Sequence, residues 1–85
     1  MNKPKRDVAI VIPTLNEEKG IVRVLNPMHA KLKGYTYEVI VVDGGSTDNT
    51  VQMAKDNGAT VIYQKERGYG DAVRTGMEYA VMHFN

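Results

Sequence analysis

The 85-residue sequence has no cysteine, no tryptophan, a single phenylalanine and three prolines. Without cysteine there is no disulfide framework, thiolate metal site or cysteine nucleophile, and the redox compartment is left open. Surplus charge is missing as well: eleven Lys and Arg face ten Asp and Glu, for a formal net charge of +1. No global field therefore draws the chain to nucleic acid or to an anionic membrane, and Lys3, Lys5 and Arg6 read as a solvated N-terminal run. The longest apolar runs, Val8 to Ile12 and Val39 to Val42, fall far short of the ~20 residues of a bilayer-spanning helix. The start MNKPKRD lacks the apolar stretch of a secretory signal. The expectation is a cytoplasmic protein with no membrane segment in this chain and no nucleic-acid partner. What is present, 42% hydrophobic and 25% charged residues with eight glycines, matches an ordinary globular composition. At this length the chain forms one small domain or one part of a larger one.

The pattern alternates between strand and helix. Val8 to Ile12 is a β-branched run closed by Pro13, as in a strand buried on both faces of a parallel sheet. From Glu17 to about Leu32, the residues Ile21, Leu25, Met28 and Leu32 recur at helical spacing, and Gly34 follows as a stop signal. Pro27 inside that pattern predicts a kink or a split. Glu38 to Val42 is a second strand, followed by the turn-rich segment Asp43 to Asp48. A helix capped by Ser46, Thr47 or Asp48 then runs to Gly58. Thr60 to Tyr63 is a third strand, and Asp71 is expected to cap a last helix with Val73, Met77, Ala80 and Phe84 as its buried stripe. Three strand–helix units with right-handed crossovers predict an α/β fold: a three-layer, Rossmann-like half (βαβαβα) with a parallel sheet in strand order 3-2-1. The first strand then keeps an uncovered edge. This implies an amino-terminal fragment of a longer protein, or pairing with another copy through that edge.

In an open parallel α/β sheet ligands bind at the carboxyl ends of the strands. Three polar loops fall there: Pro13 to Glu18, Asp43 to Thr50 and Glu66 to Gly70. Asp43 either grips a ligand or starts a turn before Gly44 and Gly45, and position alone leaves both open. Asp48 reads as a helix cap. Asn16, Glu17 and Glu18 open a helix, where acids complement the positive end. Two carboxylates there repel a bare phosphate, so the first loop suits a base or a sugar better than a pyrophosphate. A dehydrogenase is disfavoured, because G-x-G-x-x-G is absent after the first strand; the G-x-G of the chain is Gly68-Tyr69-Gly70, after the third, with Val73 at the last glycine position. A sugar-nucleotidyltransferase would want a Gly- and Lys-rich loop where Pro13 to Gly20 stands. Arg67 and Arg74 flank the last loop, where they either meet phosphate, Arg74 from the first turn of the helix, or are solvated surface. His29 and His83 lie apart from any ligand cluster and read as helix surface, Tyr35 and Tyr37 as sheet-edge packing.

Taken in order, IVIPTLNEE (Ile10 to Glu18), EVIVVDGGSTDNT (Glu38 to Thr50) and ERGYGDAVRTG (Glu66 to Gly76) closely resemble the start of the inverting family-2 glycosyltransferases of GT-A type. The dolichyl- or polyprenyl-phosphate mannosyl- and glucosyltransferase branch is the nearest in pattern, sharing the P-T-L-N-E-E opening and a Gly-rich third segment. The resemblance implies a site for a UDP- or GDP-linked nucleotide-sugar. By analogy Pro13, Leu15, Asn16 and Glu17 line the base and ribose pocket, Asp43 hydrogen-bonds the base with Gly44 beside it, and Gly68 to Gly70 with Arg74 border the diphosphate. Family members usually carry a second Asp where this chain has Gly44.

The same resemblance implies that residues 1–85 are the N-terminal nucleotide-binding part of a transferase domain. Family members hold Mg2+ or Mn2+ through a D-x-D-type motif on the next strand, and this chain stops at Asn85 before it. The expected function is transfer of a sugar, with inversion, to an acceptor such as a polyprenyl or dolichyl phosphate. This chain would supply nucleotide binding, no catalytic residue and no metal site, and would be inactive alone. The alternative is a non-catalytic α/β module that self-associates through its first-strand edge.

Overall fold

The computed structural model describes residues 8–65 and 68–83. Its elements run β1 (Val8–Thr14), α1 (Glu18–Lys31), β2 (Tyr37–Asp43), α2 (Thr50–Asp56), β3 (Thr60–Tyr63) and α3 (Tyr69–His83). The sheet has the order β1-β2-β3 and is parallel throughout. Thr14 pairs with Asp43 and Asp43 with Tyr63, so the three carboxyl ends finish level.

The β-branched run of β2 is explained by burial on both faces, while β1 and β3 beside it are largely half-buried. Alternate side chains of β2 part company: Val39 and Val41 join Ile21, Leu25 and Ala54 from α1 and α2, while Ile40 and Val42 meet Ala72 of α3. β1 divides the same way, Ile10 and Ile12 on the first face and Ala9 and Val11 on the second. The result is the expected three layers, with β2 at the centre.

Two expectations about helices are corrected. Pro27 does not split α1, which continues to Lys31. Leu25 is fully buried and anchors the inner face, whereas Pro27 and Arg23, whose carbonyl loses its partner, are both exposed, so water can take up the freed acceptor. In α3 the buried residues are Asp71, Ala72, Thr75 and Gly76; of the expected stripe Val73 is half-buried, Ala80 packs partly buried against the core, and Met77 is 58% exposed. The cause is close approach: a Cβ on Gly76 would lie 2.2 Å from Val11 Cγ1 and 3.0 Å from Val42 Cγ2. Small residues let the helix settle onto the sheet, Tyr79 packs beside them, and Met77, Val81 and Met82 are left outside. Phe84, expected in that stripe, lies outside the described residues.

Asp71 is not the cap of α3 but a buried first-turn residue, bonded by Arg74 at 2.6 Å and by Thr75 Oγ1 at 3.4 Å. His29, expected at a helix surface, is half-buried between Tyr37 Oη and the carbonyl of Asn57, the latter at 2.7 Å, and so joins α1 to β2 and to the end of α2. Tyr35 is exposed in the loop before β2, and Tyr37 opens that central strand against the core, so neither packs at a sheet edge. No helix among the described residues is long and apolar enough to cross a membrane.

Candidate functional site

The first two loops at the carboxyl rim are built against each other. Asn16 adopts a left-handed conformation, φ 50°, which Asn tolerates better than most residues. Its Oδ1 accepts the Thr47 amide at 2.8 Å, and its own amide donates to Ser46 Oγ at 2.9 Å. The Glu17 amide donates to Thr50 Oγ1 at 2.8 Å and the Glu18 amide to Asp48 Oδ2 at 3.3 Å. Glu18 returns the bond, accepting the Asn49 amide at 3.3 Å. Two amides at the entry to α1, where a dinucleotide fold would hold pyrophosphate, those of the N-cap Glu17 and of Glu18, are thus taken by a hydroxyl and a carboxylate.

Asp48 serves the start of α2 from one place before the cap: Asn49 is the N-cap and makes no side-chain cap bond. Asp48 Oδ1 accepts the Thr50 amide at 3.0 Å and also the Thr50 hydroxyl. The bond from that hydroxyl is the largest influence; desolvation, next in size, opposes it, and with the lesser contributions of the Thr50, Glu18 and Asp48 amides the carboxyl lies below its ordinary value.

Asp43, at the end of β2, is 2% exposed. Its Oδ2 accepts the amides of Gly45 and Ser46, both at 2.9 Å, and its Oδ1 accepts the Ser46 hydroxyl at 2.5 Å. Gly45, at φ 106°, makes the turn that brings those amides round. The carboxylate is consumed by its own loop, and the turn-starting alternative describes its contacts.

Beside these loops lies a cleft of about 540 Å3, within the roughly 300–1,000 Å3 common for small-molecule sites. Pro13, Thr14 and Leu15 form one wall, Gly44 the floor, and Gln64, Gly68 and Ala72 the other wall. Leu15 is 55% exposed, an apolar side chain offered to a ligand. Of the residues expected from sequence, Pro13, Leu15, Gly44 and Gly68 meet here. Asn16 and Glu17 clasp the second loop, and Asp43 lies beneath. Gly70 and Arg74 line a separate depression along α3, where Arg74 pairs with Asp71 at 2.6 Å and reaches Glu78 at 3.8 Å. Glu66 and Arg67 lie outside the described residues.

Sequence reasoning missed Gln64, Thr14 and Ala72. Gln64 follows β3 directly, and its amide donates to the Asp43 carbonyl at 2.9 Å. The rim rule that singled out Asp43 at the end of the second strand applies equally to the residue after the third, and would have found it. Among the described residues no group of three or more His, Asp or Glu could hold a metal ion. Asp43, Asp48 and Glu18 accept loop amides and Asp71 accepts from Arg74 and Thr75, so the described residues do not fit as the holders of a divalent cation. The arrangement can grip a flat, partly apolar ring and offer it oriented hydrogen bonds.

A family model described as "Glycosyl transferase family 2" matches residues 9–82. Protein RfbJ of Shigella flexneri is 40% identical over 68 residues, covering 80% of this chain and 51% of that protein. The human dolichyl-phosphate beta-glucosyltransferase is 32% identical over 91 residues, covering 89% of this chain and 28% of that protein. The crystal structure of glucosyl-3-phosphoglycerate synthase from Mycobacterium tuberculosis superposes with a TM-score of 0.75 at 31% identity, over 87% of this chain and 30% of that one. The same enzyme in complex with Mn2+, UDP and glucosyl-3-phosphoglycerate gives 0.68 at 34% identity, over 80% and 27%. The chain thus spans about half the length of RfbJ and under a third of the other two.

Proposed function

Since the chain belongs to glycosyl transferase family 2, we propose that it supplies the nucleotide-binding half of an enzyme that transfers a sugar, with inversion, from a UDP- or GDP-linked donor. The observation that carries this reading is the cleft at the level carboxyl ends of three parallel strands, floored by Gly44 and walled by Pro13, Leu15 and Gln64. Pro13 and Leu15 flank the base, while Asn16, Glu17 and Asp43 act by holding the loops that shape its slot. The diphosphate runs towards Gly68, Gly70 and the start of α3, because the Glu17 and Glu18 amides at the entry to α1 are already engaged.

The acceptor in this reading is a polyprenyl or dolichyl phosphate, a class supported by the human dolichyl-phosphate relative. Mg2+ or Mn2+, when bound, neutralises the leaving diphosphate. The described residues are no holder for it, so what they do is bind and orient the nucleoside. The β1 edge, which among the described residues has β2 as its neighbour, would pair with a second copy, and solution mass against concentration tests that.

Calorimetric titration of the 85-residue chain with UDP and GDP, with and without Mn2+, tests the function. The expected result is weak, metal-independent binding of one of them and no sugar release from UDP-glucose or GDP-mannose. Absence of binding to either overturns the nucleotide reading, and detectable transfer overturns the division of labour.

A further inference from the structure

Asp43 is poorly placed as the cleft's hydrogen-bond acceptor: its oxygens already take three bonds from Gly45 and Ser46, and it is 2% exposed. The half-buried Gln64 stands one strand over, with its carboxamide in the cleft wall. One end of that carboxamide lies 2.6 Å from the Gly68 carbonyl oxygen. A carbonyl can only accept, so that end must be Nε2, and the orientation of the amide is set. Oε1 then points across the floor, 3.1 Å from where a Cβ on Gly44 would stand. Glycine at position 44 is what leaves that oxygen room. The slot therefore has apolar walls from Pro13 and Leu15 and one oriented acceptor.

We propose that Gln64 is the base-reading residue of this site, and that it selects a nucleoside diphosphate whose base presents a ring N–H beside a carbonyl, as uracil and guanine do. The inference rests on the nucleotide reading above and deepens it. Gln64 Oε1 accepts the ring N–H, and the second Nε2 hydrogen is free to donate to the neighbouring carbonyl of the base. Cytosine and adenine turn a lone pair towards the same oxygen at the equivalent ring position, and the tether to Gly68 prevents the amide from flipping to suit them.

The test compares UDP with CDP, which match in size and phosphate charge, by titration of the 85-residue chain and of its Gln64→Leu and Gly44→Ala variants. The wild-type chain should prefer UDP by about three- to tenfold, the span of one net hydrogen bond. In Gln64→Leu the preference should fall to near one. Loss of the Gly68 tether alone would weaken both nucleotides alike and leave their ratio unchanged, so an unchanged ratio overturns the proposal. Gly44→Ala reaches the same oxygen without altering Gln64 and should also erode the ratio. Equal binding of UDP and CDP by the wild-type chain overturns the assignment of Gln64 while the nucleotide reading stands. Binding of neither UDP nor GDP removes both.

Discussion

Ser46 Oγ donates to Asp43 Oδ1 at 2.5 Å and accepts the Asn16 amide at 2.9 Å. One hydroxyl thereby couples the buried carboxylate at the end of β2 to the first loop, and the shape of the cleft depends on both. Replacing Ser46 with Ala leaves Asp43 short of a donor and the Asn16 amide short of an acceptor. Leaving a buried polar group unsatisfied costs about 1–3 kcal/mol, so Ser46→Ala should lower the urea-unfolding free energy by an amount in that range. Its nucleotide affinity should fall further than that of an exposed-surface control such as Lys55→Ala.

Glycines at two places in α3 should respond in opposite directions. Gly76→Ala drives a Cβ to within 2.2 Å of Val11 Cγ1, and overpacking of this kind costs about 1–3 kcal/mol or more. Nothing lies within 4 Å of a Cβ on Gly70, and an exposed helical Gly→Ala change stabilises by roughly 0.5–1 kcal/mol. Thermal unfolding of the two variants should move Tm down and up respectively.

Asp48 sets an acid limit. Its folded-state carboxyl lies below its ordinary value because the Thr50 hydroxyl, and then the Thr50 and Glu18 amides, donate to the ionised form. A lowered folded value adds stability that is complete above the ordinary carboxylate pKa of about 4 and is lost as pH falls through the lowered one. Asp48→Asn should therefore flatten the stability profile in that acid window. Unfolding midpoints measured from neutral pH down to about 2.5 check this, with a parallel fall in both proteins as the contrary result.

His29 tests the packing between α1, β2 and α2. The Asn57 carbonyl accepts, so His29 Nε2 donates to it, and in the neutral ring Nδ1 is left to accept from the Tyr37 hydroxyl. Nitrogen shifts of the neutral ring should report the Nε2–H tautomer. Tyr37→Phe should cost about 1 kcal/mol and release amide-exchange protection around Asn57 and Gly58.

Much of this was legible in the residues. The β-branched runs predict all three strands to within a residue or two, because each strand packs apolar side chains on both faces, fully in β2 and partly in β1 and β3. The three rim loops follow from the same alternation, and the motifs they carry point to the family. The face of α3 was not legible, since reading it from large apolar residues favours Val73 and Met77, whereas Ala72 and Gly76 win by permitting closer contact. The state of Asp43 was also hidden: two bonds come from backbone amides two and three residues on, which sequence spacing does not orient. Gln64 carries no charge and sits in no motif, and it emerges once β3 is seen to end level with β2. Pro27 survives in α1 because tertiary packing of Leu25 outweighs a local preference.

The central claim is that the carboxyl-rim cleft is a nucleotide site, and amide chemical-shift mapping of the 85-residue chain with UDP or GDP tests it most directly. The account predicts saturable shifts at Leu15, Gly44, Gly68 and Ala72 and at the Gln64 side-chain amide, with α1 beyond Gly20 undisturbed. No shifts at saturating nucleotide, or shifts confined to the outer face of α3 around Met77 and Val81, would contradict it.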